Sequence, residues 1–163
     1  MATKMHKNAQ RKVSELRFPK FKGEWKEKRL DEFLIPTFRE VCKPNDKYLA
    51  IGVRSHAKGT FQRTDSEPDK IAMETLYQVR EGDLIVNITF AWEGAIALVK
   101  KTDDGGFVSH RFPTYTFDQT VVLSEYFRQV FIQKRFRSLL DLISPGGAGR
   151  NRVLSKSNFL AIK

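Results

Sequence analysis

Glu81-Gly82-Asp83-Leu84-Ile85-Val86-Asn87-Ile88-Thr89-Phe90-Ala91-Trp92-Glu93-Gly94-Ala95-Ile96-Ala97-Leu98-Val99-Lys100 decides the fold of this 163-residue chain. Glu81-Gly82-Asp83 marks a turn. Leu84 to Thr89 and Ala95 to Lys100 read as two strands, parted by the tight connection Phe90 to Gly94. Downstream, Asp103-Asp104-Gly105-Gly106 carries a hairpin signal, because Asp and Gly tolerate the positive φ of tight hairpin turns. Gly106 to His110 and Thr114 to Phe117 continue the sheet, with Pro113 as an edge or a break. Upstream, Tyr48 to Val53 alternates as a strand does. Arg54 to Asp69 is polar and reads as a loop, and Glu74 to Arg80 is ambiguous.

The main helix is expected over 124–143, with Ser124 as its cap. Phe127, Phe131, Leu139, Leu140 and Ile143 recur at helical spacing, and Pro145 with its glycines ends it. The charges Arg128, Lys134, Arg135 and Arg137 are expected on its solvated side. Leu30, Phe33 and Leu34 suggest a short helix within 29–41, interrupted near Pro36. The order of elements predicts an α+β fold: one globular domain over 16–163, with a mixed or antiparallel central sheet and a few helices. Residues 1–15 read as a flexible basic lead-in.

Lys and Arg number 29 against 19 Asp and Glu, a net charge of +10, and the pI is about 9.8. Such a surface attracts polyanions, because neutralising phosphates releases condensed counterions. DNA, RNA and acidic lipid all satisfy that attraction. The charge is concentrated at the ends: residues 1–30 hold ten Lys/Arg and three Glu, and beyond Asp141 there are four Lys/Arg and no acid. Thirteen Phe are enough to build a core, which argues against a disordered chain. Cys42 is the single cysteine, so neither a disulfide framework nor a cysteine zinc site is available, and a reducing, cytoplasmic setting is expected. Nothing approaches the length of a membrane-spanning helix, and Met1 to Lys12 lacks the apolar core of a signal peptide.

Enzyme readings find little support. Gly146 to Arg152 lacks the Gly-Lys-Ser/Thr of a phosphate-binding loop. His6, His56 and His110 are scattered, without zinc spacing. Pro68-Asp69 is not followed by the Asp/Glu-x-Lys that a metal-dependent nuclease needs, and the Asn-Pro-Pro-aromatic motif resembling that of amino-methyltransferases is missing. Cys42 has no convincing base partner. One catalytic alternative stays open: a small metal-dependent nuclease whose carboxylates, Asp69, Asp83 and Glu93, assemble only in the fold. A non-specific basic nucleic-acid-binding protein is the other.

Several residues have the chemistry to touch DNA. Arg54, Ser55, His56, Lys58, Thr60, Gln62 and Arg63 lie in one polar stretch. Arg and Lys hydrogen-bond guanine, and Gln hydrogen-bonds adenine. Trp92 could face a sugar or base, although such a residue more often anchors a core. His110 and Arg111 offer a second basic edge. Arg150 and Arg152 follow glycines whose free N–H groups can form an anion-binding concavity. On composition alone the 54–64 stretch is an ordinary solvated loop.

Leu16-Arg17-Phe18-Pro19-Lys20-Phe21-Lys22-Gly23-Glu24-Trp25, Gly82-Asp83-Leu84-Ile85 and Gly146-Gly147-Ala148-Gly149-Arg150 occur in an order that resembles a target recognition domain of a type I restriction-modification specificity subunit. Phe159 to Lys163 resembles the run leading into that family's conserved spacer helix, which would lie beyond Lys163. The resemblance implies a non-catalytic module that reads one half of a bipartite site in double-stranded DNA. It implies methyltransferase and restriction subunits as partners, with S-adenosylmethionine, ATP and Mg confined to them. It also turns the 54–64 stretch from a solvated loop into an expected DNA contact.

Overall fold

The computed structural model describes Glu24, residues 26–146 and residues 152–163. The expected lead-in, nearly all of the Leu16–Trp25 opening and Arg150 lie outside the described residues. Among the described residues, nine strands form two sheets. Leu34–Thr37 (β1), Leu84–Val86 (β6), Ile96–Leu98 (β7) and Thr114–Phe117 (β9) make a four-stranded antiparallel sheet in the order β1-β9-β6-β7. Glu40–Cys42 (β2), Tyr48–Val53 (β3), Thr60–Ser66 (β4), Thr75–Gln78 (β5) and Phe107–Val108 (β8) make the other, ordered β2-β5-β8-β3-β4. Its one parallel pair is β3 with β8.

The decisive stretch lies between two apolar layers. Leu84, Ile85 and Val86 are each 0% exposed. Leu84, Val86 and Ile96 face a core shared with the helices, whereas Ile85 and Ala97 face Ile51, Val53 and Val108 of the second sheet and Val79 just beyond β5. A strand covered on both faces reads as a continuous apolar run, which is why β6 and β7 do not alternate. The α+β class holds, with two layered sheets in place of the expected single one.

The Asp103–Gly106 segment is a correction. Gly105 has the expected positive φ of 78°, but the turn does not make a hairpin. β7 and β8 belong to different sheets, and Lys101–Asp103 forms a 3-10 turn that carries the chain across. A β-carbon on Gly106 would lie 2.5 Å from Ile51 Cγ1, so only glycine lets β8 enter the second core here. The polar 54–69 stretch also differs from expectation. Its second half is β4, an edge strand whose outward face needs no apolar residues.

The helix expected over 124–143 is two helices, Ser124–Phe131 (α1) and Lys134–Leu142 (α2), with Gln133 extended at ψ 145°. The apolar spacing explains the break. Phe127 and Phe131 are four apart, Phe136 and Leu140 are four apart, but Phe131 to Phe136 is five. One straight helix would turn Phe136 about 140° away from Phe131; breaking it lets both be buried at 4% exposure. Ser124 is the first helical residue and its side chain caps nothing in the backbone; Leu123 holds the cap position. Within 29–41, Leu30–Glu32 is a single 3-10 turn. Pro36 lies in β1, at a sheet edge where its missing N–H is tolerated. Lys156–Leu160 (α3) buries Phe159 beside Tyr115, ring centroids 5.4 Å apart.

Candidate nucleic-acid interface

The β3–β4 hairpin ends in a tip, residues 54–59, that the rest of the protein holds in an unusual shape. His56 and Ala57 have φ of 61° and 53°. Left-handed geometry costs a non-glycine residue roughly 1–2 kcal/mol, so something must compensate. The 3-10 turn Ala91–Glu93 does so: His56 N–H donates to the Glu93 carbonyl and Ala57 N–H to the Gly94 carbonyl, both at 2.8 Å. Ser55 Oγ donates to Glu93 Oε2 at 2.7 Å. Gly94, itself at φ 77°, receives the tip on one side and the Arg137 stem on the other, 3.3 Å from where a β-carbon would sit.

Arg137 Nη1 lies 3.2 Å from His56 Nδ1. A guanidinium only donates, so Nδ1 accepts and the ring proton sits on Nε2. His56, Gly94, Phe131, Lys134 and Arg137 line a shallow cleft where the tip meets the α1–α2 break. Arg54, Lys58, Lys134 and Arg137 are exposed. Lys100 reaches the same tip, its Cε 3.8 Å from the β-carbon position of Gly59. The described ion pairs use Lys28, Arg29, Arg39, Lys43, Lys70, Arg80 and Arg152. Among the described residues, then, the cations around the tip have no carboxylate partner. Lys134 and Arg137 were expected on a solvated helix face; the five-residue step from Phe131 to Phe136 is the signal that α2 turns toward the tip.

Beyond the tip, β4 is pinned by side chains. Phe61 lies across Gly52, where a β-carbon would meet its ring at 2.2 Å. Arg54 and Arg63 lie over the Phe61 ring, 5.3 and 5.5 Å from its centroid. Arg54 also donates to the Thr60 carbonyl. Asp103, 2% exposed, accepts from the hydroxyl of Thr60, also 2% exposed. The same carboxylate accepts from Gln62 Nε2 at 2.9 Å, and that amide also donates to the Thr102 carbonyl at 2.6 Å. Thr60, expected as a DNA contact, is instead an internal anchor: its side chain is buried and its hydroxyl is committed.

Arg152 is also committed within the protein. Its guanidinium donates to the carbonyls of Ser144 (2.9 Å) and Asp141 (2.8 Å), pairs with Asp141 Oδ1 at 2.7 Å and lies 5.2 Å from the Trp92 ring centre. It clasps the end of α2 to the Ala91–Glu93 turn. Trp92 is half-buried and its Nε1 donates to the Thr89 carbonyl at 3.2 Å. His110 and Arg111 are exposed on a turn that hydrogen-bonds Ile88 through the Arg111 carbonyl.

The three carboxylates of the nuclease alternative do not converge. Arg39 holds buried Asp83 through its two terminal guanidinium nitrogens, Glu93 is tied to Ser55, and Asp69 is exposed in the Pro68–Lys70 turn. Among the described residues no group of three His, Cys, Asp or Glu could hold a metal ion, and no helix is long and apolar enough to cross a membrane.

No family model matches this chain, and no curated protein sequence does. A solved structure shares its fold. It is the HsdS subunit from Thermoanaerobacter tengcongensis, superposed with a TM-score of 0.61 over 82% of this chain at 15% identity. The match covers 35% of the HsdS chain, so this protein spans about a third of that subunit. At that identity the likeness is one of fold.

Proposed function

We propose that this protein is a target recognition domain of a type I restriction-modification specificity subunit, reading one half of a bipartite DNA site. The observation that carries the reading is the group of cations without carboxylate partners among the described residues, Arg54, Lys58, Lys134 and Arg137, gathered around a hairpin tip docked on the Ala91–Glu93 turn. Phosphate contacts would position such a surface and side chains on the hairpin would read base edges. The fold likeness to an HsdS subunit supports the same reading.

In this proposal Arg54, Ser55, His56, Lys58, Gln62 and Arg63 are the hairpin's contacts, with His110, Arg111 and Arg150 as flanking ones. Trp92 and Arg152 support the turn on which the tip rests. The protein works in the cytoplasm with methyltransferase and restriction subunits. S-adenosylmethionine, ATP and Mg serve those partners, and this domain supplies sequence choice without chemistry.

The test is selection from a random duplex DNA library by the purified protein at near-physiological salt. Enrichment of a motif of about 3–5 base pairs is expected, bound roughly 10³-fold or more tighter than random duplex. Binding without enrichment would leave a non-specific basic protein and overturn sequence recognition.

A further inference from the structure

Gln62 has an amide that faces two ways. Both neighbours of its nitrogen, the Thr102 carbonyl at 2.6 Å and the Asp103 carboxylate at 2.9 Å, are acceptors. An amide oxygen cannot sit there, so the chemistry alone assigns the NH2 group inward. An NH2 group has two hydrogens, and each has a protein acceptor. The side chain is exposed, and among the described residues nothing donates to Oε1. Asp103 is held in turn by the Thr60 hydroxyl, so the arrangement is braced from below.

We infer that Gln62 is a specificity residue that acts only as a hydrogen-bond acceptor in the major groove, selecting a base whose exocyclic amino group lies on that edge, adenine or cytosine, in the strand it faces. This rests on the DNA-reading proposal above. A free glutamine contacts adenine twice, accepting from N6 and donating to N7. Here the donating half is already used, so N7 is not read. Guanine O6 and thymine O4 are acceptors, and each would oppose the Oε1 lone pairs. Asp103 and Thr60 are positioning residues that act through Gln62.

The experiment is the library selection repeated with Gln62→Leu, followed by atom-by-atom substitution of the selected DNA. Wild type should enrich adenine or cytosine at one position. Gln62→Leu should erase the preference there and keep the others, weakening the best site by about tenfold, the scale of one hydrogen bond. If adenine is selected, 7-deazaadenine, which lacks the N7 acceptor but keeps the amino group, should bind as adenine does. Purine, which lacks the amino group, should bind about tenfold worse. If cytosine is selected, 2-pyrimidinone, which lacks only the N4 amino group, should show the same loss. Equal losses with 7-deazaadenine and purine, a guanine or thymine preference at that position, or a motif unchanged by Gln62→Leu would overturn the inference while leaving DNA recognition intact. Failure of the wild type to enrich any motif would instead strike the underlying DNA-reading proposal.

Discussion

Replacing Thr60 by Val tests whether the Asp103 hub holds the hairpin. Valine keeps the shape of threonine and removes the hydroxyl. Thr60 and Asp103 are both 2% exposed, so water cannot easily take the hydroxyl's place. The nearest remaining donor to Asp103 Oδ2 is the Lys100 N–H, at 3.4 Å. A hydrogen bond to a charged group contributes about 1.5–3 kcal/mol, and a buried group left without its partner adds to the loss. The expected destabilisation is therefore about 2 kcal/mol. In urea that moves the midpoint by about 1 M at a slope near 2 kcal/mol/M, with the slope itself unchanged. In a melt it lowers Tm by about 4–8 °C for a chain of this size. Gln62→Leu, at the exposed end of the same carboxylate, should be milder alone. Because the two side chains share one acceptor, the double variant should depart from additivity by about 0.5 kcal/mol or more. A Thr60→Val loss below about 0.5 kcal/mol, or strict additivity, would show that Asp103 does not depend on Thr60.

Arg54→Ala and Lys58→Ala should weaken binding to the selected site by about 1–3 kcal/mol and binding to random duplex less, whereas Arg137→Ala should weaken both alike and reduce the salt slope by about one; titrations on both DNAs at several salt concentrations decide it, and equal losses for all three would displace the hairpin as the reading element. Gly94→Ala should destabilise the fold by about 1–2 kcal/mol, because φ is 77° and the Arg137 stem lies 3.3 Å from the added carbon; a urea midpoint equal to wild type would refute the docking of the tip on this turn. Burial pushes the Tyr115 hydroxyl up to about 12 from 10.0. Its neutral form is favoured by folding, so that contribution is fully present below pH 10 and is lost as pH rises from 10 through 12, about 3 kcal/mol in all. Tyr115→Phe should flatten the alkaline limb of stability against pH, and an unchanged limb would refute the assignment.

Periodicity reports what lies along the chain, and it succeeded where burial follows a local pattern. Tyr48 to Val53 and Thr114 to Phe117 are strands as their residues suggest. It failed where the same local signal serves a distant partner. Asp103-Asp104-Gly105-Gly106 has the backbone freedom of a hairpin, yet β7 and β8 join different sheets, because each apolar strand is completed by residues far from it in sequence. The break after Phe131 was legible in the five-residue step to Phe136, a signal hidden by the overall helical richness of 124–143. The candidate site shows the same limit. Arg152, Thr60 and Gln62 have residue types suited to DNA, but type does not reveal prior commitments. Thr60 and Gln62 are claimed by a carboxylate 43 and 41 residues away, and Arg152 by the end of α2.

By itself the sequence determined the α+β class, the two strands at the centre of the fold and the basic charge. All of these follow from composition and short-range pattern. The tertiary structure alone decided which sheet each strand enters, which cations around the hairpin tip lack a carboxylate partner among the described residues and which half of the Gln62 amide is taken up by protein acceptors. Those depend on hydrogen bonds and contacts between segments tens of residues apart, and their geometry exists only once the chain has folded.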